Sequence, residues 1–214
     1  MSSVRDVVAE AVRELFPRTI VDTIIAALPD VAGHEVGTLD VVAARAVLRR
    51  LEKSLVLFGG KAAPDALSAL RQRVTGGRAP PPYRVTIAVR SDADVLAAQR
   101  RCQDIGREFF GTTDCVRLAT AVSELARNIY LYARQGEIDL ELSEEGAEVR
   151  LSVTARDQGP GIADLTAVLE GRYTSRTGLG KGLRGVRNLL EGFQVDSSPE
   201  RGTTIRGYKR GKRT

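Results

Sequence analysis

Cysteine occurs twice and histidine once in these 214 residues. Cys102 and Cys115 are too few and too isolated for a disulfide framework or a thiolate zinc site, which fits a reducing compartment; both read as buried small hydrophobes. No apolar run approaches the roughly 18–20 residues of a membrane-spanning helix, and MSSVRDVVAEAV lacks the apolar core of a secretory signal. The expected location is cytoplasmic, with no membrane partner. The single His34 stands beside Glu35, as a phosphoacceptor could. Such a histidine belongs in mid-helix, however, and Gly33 and Gly37 flank this one, so a surface-loop histidine is the better account.

An excess of one charge is also missing from most of the chain. Of the net +5, residues 1–82 carry 11 basic against 9 acidic side chains, and residues 83–208 carry 17 against 18. The excess sits in 209–214, as Lys209, Arg210, Lys212 and Arg213. A short basic tail reads as solvated, with electrostatic docking as the alternative. No basic face or recognition helix stands out, so no nucleic-acid partner is expected.

What the chain does have is a 43% hydrophobic content, that of a globular protein, and length for one well-packed domain plus a smaller one. Val4, Val7, Val8, Ala11, Val12 and Leu15 recur at helical spacing up to Pro17. A second helix fits Arg18–Leu28. Thr38 can cap a third, with Asp40 in its first turn and Val41, Val42, Leu48, Leu51, Leu55 and Phe58 along one face as far as Gly59-Gly60. Pro64–Val74 suits a fourth. Residues 1–77 therefore read as a small all-α module, near the size at which a core is barely self-sufficient, so dimerisation or partner docking would help it. Gly76-Gly77-Arg78-Ala79-Pro80-Pro81-Pro82 favours an extended spacer, and 78–82 is taken as the linker.

From Tyr83 the pattern changes. Tyr83–Val89 alternates as a strand, Ser91 can cap a helix striped by Val95, Ala98, Cys102, Ile105 and Phe109, and Thr112 or Thr113 can cap another from Asp114 to about Tyr132. A hairpin follows, Glu137–Ser143 and Glu148–Arg156, then a helix over 182–192 and strands Phe193–Ser197 and Thr203–Tyr208. The expected fold class is α+β: a two-layer α/β sandwich, with a mixed, mainly antiparallel sheet and helices on one face, preceded by the all-α module. The domain boundaries are 83–208, with 209–214 as the tail.

Three pieces of this second domain carry chemistry. Glu124 and Asn128 are four apart and share a helix face. An amide oxygen is a hard ligand suited to Mg2+, and a carboxylate can orient or deprotonate an attacking hydroxyl; two solvated side chains would look the same. Next, Asp157-Gln158-Gly159-Pro160-Gly161-Ile162 follows a strand, with glycines that admit a ligand to the backbone and Asp157 as acceptor for an exocyclic amine; a tight polar turn is the plain alternative. Last, Gly178-Leu179-Gly180-Lys181-Gly182-Leu183 runs into a helix whose N-terminal amides can face phosphates. It lacks the spacing of a Walker loop. Arg127 could touch phosphates or a partner carboxylate, or stay solvated.

In this order, helix then strand-end turn then lid, the pieces resemble the Bergerat-fold ATPases, the superfamily of gyrase, heat-shock chaperone, histidine-kinase and mismatch-repair ATP-binding domains. AVSELARNIYLYA (121–133), DQGPGIADL (157–165), GRYTSRTGLGKGLRGVRNLLEGF (171–193) and SSPERGTTI (197–205) look like the RsbT-type switch serine/threonine kinases of bacterial stress modules. The resemblance implies ATP and Mg2+ as cofactors. Asn128 would ligate the metal and Asp157 accept from the adenine amine, with Gly159, Gly161 and Ile162 shaping the adenine turn. Gly178, Leu179, Gly180, Lys181, Gly182 and Leu183 would form lid and phosphate cradle, Thr203 or Thr204 would complete the adenine pocket, and Glu124 would be the catalytic base. It also implies partner switching: phosphorylation of Ser or Thr on STAS-domain antagonist or scaffold proteins, then activation of a downstream phosphatase or effector. The alternative is an ATP-dependent anti-sigma factor that sequesters a sigma factor with little turnover. Such lids usually read Gly-Leu-Gly-Leu-Gly-Leu, and Lys181 departs from that; its ammonium either neutralises phosphate or points to solvent. Residues 1–77 have no counterpart in this resemblance.

Overall fold

The structure is a computed structural model and describes residues 2–58, 63–77, 82–145, 148–170, 172 and 182–212. It divides into two compact units, Met1–Tyr83 and Arg84–Thr214. Residues 59–62 and 78–81, which hold the Gly59-Gly60 stop and most of the linker, lie outside the described residues, as does the side chain of Phe58.

The first unit is helical: α1 (Val4–Arg13), α2 (Arg18–Ala26), a 3-10 turn (Asp30–Gly33), α3 (Val41–Phe58) and α4 (Ala63–Thr75). Ser3 and Asp6 form a reciprocal capping box on α1, each side chain accepting the other's backbone N–H at 3.2 Å. Val8, Val12, Val21, Ile24, Leu51 and Leu70 meet in one buried cluster, the product of the helical spacing in the sequence. The cap of α3 differs from expectation. Asp40 Oδ1 accepts the Ala43 N–H at 2.8 Å, whereas Thr38 donates its hydroxyl to the Glu35 carbonyl at 2.8 Å. Asp40 stands immediately before the first helical residue, the position from which a side chain reaches the unpaired first-turn amides.

The second unit holds β1 (Tyr83–Val89), α5 (Asp92–Phe109), α6 (Thr112–Asn128), β2 (Gly136–Glu145), β3 (Glu148–Asp157), α7 (Leu165–Glu170), α8 (Gly182–Leu189), β4 (Glu191–Ser198) and β5 (Gly202–Lys212). The sheet order is β1-β2-β3-β5-β4. β2 with β3, β3 with β5 and β5 with β4 are antiparallel. Alternation decides which side is covered. Ile138, Leu140, Leu142, Val149, Leu151 and Val153 are buried, as are Val95, Ala98, Cys102 and Ile105 of α5 and Leu118, Val122 and Leu125 of α6. The intervening residues build a charged face, where Arg84 pairs with Glu141 at 3.1 Å and Arg156 bonds Asp139. One apolar face and one polar face make a two-layer sandwich, helices on one side only.

Three local features differ from the sequence reading. Ser91 caps α5 as expected, accepting the Asp94 N–H at 3.3 Å, but α6 begins at Thr112 with Gly111 at the cap and no side-chain hydrogen bond there. Asp114 in its first turn provides negative charge at the positive helix end instead. The α-helix stops at Asn128 and continues as a π-helical turn, Ile129–Ala133, which ends at Arg134 with φ 67°. Residues 209–212, read as tail, extend β5, because β3 offers partners as far as Glu148 opposite Lys212. Lys209 Nζ lies 3.5 Å from both Asp114 and Glu191, so part of the expected free charge is paired.

Candidate functional site

The buried stripe of α6 faces the sheet and α5, which turns Glu124 and Asn128 onto a half-buried flank. The first turn of α8 rests against that flank. A Cβ at Gly182 would stand 3.1 Å from Glu124 Oε2 and 3.9 Å from both amide atoms of Asn128. The absence of a side chain at 182 thus lets the start of α8, the positive end of a helix, lie beside a carboxylate and a carboxamide.

The second piece hangs on Asp157, the last residue of β3. Its Oδ1 accepts the Gly159 N–H at 2.8 Å and the Thr203 N–H at 3.3 Å, tying the turn to the start of β5. No described residue donates to Oδ2. Gly161 has φ +71°, a left-handed backbone that folds the turn back towards β4, and a Cβ there would meet the Ser198 carbonyl at 2.6 Å. The Ile162 N–H donates to Ser197 Oγ at 2.9 Å, and Ser197 Oγ lies 2.9 Å from Thr203 Oγ1.

Together these elements enclose a cavity of about 380 Å³, within the roughly 300–1,000 Å³ usual for small-molecule sites. Leu125, Ile129, Ala155, Leu183 and Ile205 give it apolar walls, and Asn128, Asp157 and Thr203 supply polar groups. Such a cavity suits a flat heteroaromatic base. The open Oδ2 of Asp157 is an acceptor at one side of the cavity, and Asn128 and the start of α8 lie at its edge. Among the described residues no three His, Cys, Asp or Glu side chains cluster as a metal cage. Mg2+ at nucleotide sites takes oxygen ligands and keeps waters and phosphates in its shell, and the Asn128 carboxamide offers an oxygen of that kind. The residues fit ATP with Mg2+.

Of the candidates from sequence, Asn128, Asp157, Gly161, Ile162, Leu183 and Thr203 line this cavity. Glu124 and Gly182 adjoin Asn128 at its edge. Gly159 supports the turn from outside, where a Cβ would stand 2.7 Å from Ala133 Cβ. Thr204 does not reach the cavity. It lines a separate polar hollow with Arg90, Arg156 and Arg201, because neighbouring strand residues point to opposite faces. Gly178, Leu179, Gly180 and Lys181 lie outside the described residues. Tyr132, half exposed, and Asp164 also line the cavity and had not been singled out, nor had Ser197 behind Thr203. Only Ser197's place in SSPERGTTI hinted at it.

A sandwich whose cavity lies between a Glu–Asn helix, a DxGxG turn and a glycine-started helix defines an ATP-binding domain of the Bergerat type. Comparison with known proteins agrees. The family model for histidine kinase-, DNA gyrase B-, and HSP90-like ATPases matches residues 113–210. The serine/threonine-protein kinase RsbT of Bacillus subtilis (strain 168) is 40% identical over 124 residues, covering 58% of this chain and 93% of that protein. The anti-sigma F factor of Clostridium botulinum (strain Eklund 17B / Type B) is 35% identical over 98 residues, 42% of this chain and 67% of that protein. That of Bacillus subtilis (strain 168) is 30% identical over 100 residues, 44% and 67%. The chain belongs to the histidine kinase-, DNA gyrase B- and HSP90-like ATPase family and, within it, to the RsbT-type serine/threonine kinases.

Proposed function

We propose that the chain is the kinase of a partner-switching module, transferring phosphate from ATP to a Ser or Thr hydroxyl on a STAS-domain antagonist or scaffold protein, and that its release from that complex activates a downstream phosphatase or effector. The observation that carries this reading is the meeting of Glu124, Asn128 and the start of α8 at one edge of the cavity. Mg-ATP, when bound, supplies the γ-phosphoryl group and the cation that offsets its charge. Asp157 orients the base, the apolar walls exclude water around it, and Asn128 holds the metal. Glu124 accepts the proton of the incoming hydroxyl, while the α8 amides face the phosphates; positioning and charge neutralisation supply most of the acceleration in such transfers. Thr203 is assigned to the adenine pocket, and Gly178, Leu179, Gly180 and Lys181 to the lid. Unit Met1–Tyr83 is assigned to dimerisation or partner docking, and the basic end of the chain to no nucleic acid.

The relatives that are anti-sigma F factors favour one second reading, sequestration of a sigma factor with little turnover. Incubation of the full chain with γ-labelled ATP, Mg2+ and candidate STAS-domain proteins separates the two. Acid-stable label on Ser or Thr, diminished at least a hundredfold by Glu124→Gln, is expected. Absence of transfer to every such protein, alongside tight sigma-factor binding, would replace the kinase reading with the second.

A further inference from the structure

A chain of hydrogen bonds lies behind the cavity. Ser197 Oγ accepts the Ile162 N–H at 2.9 Å, so one lone pair is occupied and the hydroxyl keeps a single proton to donate. Two acceptors compete for that proton, the Gly202 carbonyl at 3.4 Å and Thr203 Oγ1 at 2.9 Å. The 2.9 Å contact with Thr203 falls in the usual O–H···O range of about 2.5–3.0 Å, and either hydroxyl can be its donor: Ser197 to Thr203, or Thr203 to Ser197 with Ser197 turned to Gly202. Thr203 is 8% exposed and lines the cavity. In the first arrangement the Thr203 oxygen receives Ser197's proton and its own O–H is left to donate to whatever occupies the cavity.

We propose that Ser197 is a specificity-determining positioning residue, which fixes Thr203 as a hydrogen-bond donor to a ring nitrogen of the bound base. The inference rests on the ATP reading of the site. Adenine places an acceptor nitrogen on each side of its amine, so an acceptor at Asp157 Oδ2 next to a donor at Thr203 matches it. Guanine and hypoxanthine carry a carbonyl where adenine carries the amine, and would set an acceptor against the carboxylate. Without Ser197, Thr203 has no donor behind it, and its hydroxyl is free to turn away from the ligand.

The test is equilibrium binding of ATP, 1-deaza-ATP and 7-deaza-ATP to the full chain without any protein partner. Each analogue lacks one of the two flanking nitrogens. The wild-type chain is expected to prefer ATP over one analogue by roughly 3- to 10-fold, the size of one neutral hydrogen bond. Ser197→Ala should abolish that preference by weakening ATP while leaving that analogue's affinity within about twofold. Ser197→Thr, which keeps the hydroxyl, should restore it. Equal weakening of ATP and both analogues by Ser197→Ala would assign the residue a merely structural role and overturn the proposal. Should that variant not fold, wild-type chain that fails to distinguish ATP from either analogue overturns it equally. Binding of none of the three would overturn the ATP reading, and this inference with it.

Discussion

Gly182 stands against Glu124: a methyl group at 182 would lie 3.1 Å from the carboxylate oxygen Oε2. The contact is with the far end of a flexible side chain, so alanine is admitted if Glu124 gives way by a few tenths of an ångström. That movement displaces the group assigned to take the hydroxyl proton. Gly182→Ala is expected to lower the rate of phosphate transfer by roughly tenfold, a misplacement cost, and to leave thermal stability unchanged or slightly raised, since alanine favours helix. Steady-state kinetics with a melting curve checks both. An unchanged rate would separate Glu124 from the chemistry.

Asp157→Asn tests the base-recognition site. The amide oxygen can still accept from Gly159 and Thr203, which hold Oδ1 at 2.8 and 3.3 Å, but an NH2 group replaces the open Oδ2. Donor then faces donor. A penalty of about 1–3 kcal/mol corresponds to a loss of ATP affinity on the order of 5- to 150-fold, measured by calorimetry, with little change in melting temperature.

Gly161 and Gly185 predict opposite stability effects. Alanine at 161 meets a φ of +71° and a carbonyl at 2.6 Å, and should destabilise the second unit by about 2 kcal/mol or more. Alanine at 185 lies within α8 with no described atom inside 4 Å of its methyl group and should stabilise by up to ~1 kcal/mol. Urea unfolding of the two variants checks the pair.

Burial, aided by the nearby Cys115, pushes the Cys102 thiol from 9.0 up to about 12. The folded state therefore keeps its proton over a range where the unfolded state gives it up. Stability from this group is intact below about pH 9 and falls as pH rises towards 12, because the unfolded chain binds fewer protons there. Denaturation across pH 8–11 should show a steeper decline for the wild type than for Cys102→Ala. At pH 8 the native thiol should resist alkylating reagents.

Much of this was legible in residue spacing. The β1 strand, the cap of α5 and the apolar stripes of α5 and α6 follow from period and capping chemistry, which are local. Glu124, Asn128 and Asp157 could be named because their surroundings repeat in one order, but what joins them could not. The approach of Gly182 to Glu124 spans 58 positions and the Asp157–Thr203 bond spans 46, and neither leaves a periodic trace. Thr203 and Thr204 are indistinguishable in sequence, and only the pleat sends one to the cavity and the other to the open face. Ser197 reads in sequence only as the end of a strand, because its partners, Ile162 and Thr203, come from two other segments. The extension of β5 through Lys212 was hidden by basic side chains whose partners, Asp114 and Glu191, lie elsewhere.

The central claim is that the Glu124–Asn128 helix, the Asp157 turn and the start of α8 form one ATP site that serves protein phosphorylation. The most direct test is mass spectrometry of a STAS-domain partner after incubation with the full chain, ATP and Mg2+, beside Asn128→Ala. The account predicts phosphoserine or phosphothreonine with the wild type and none with the variant. Equal modification by both would contradict it.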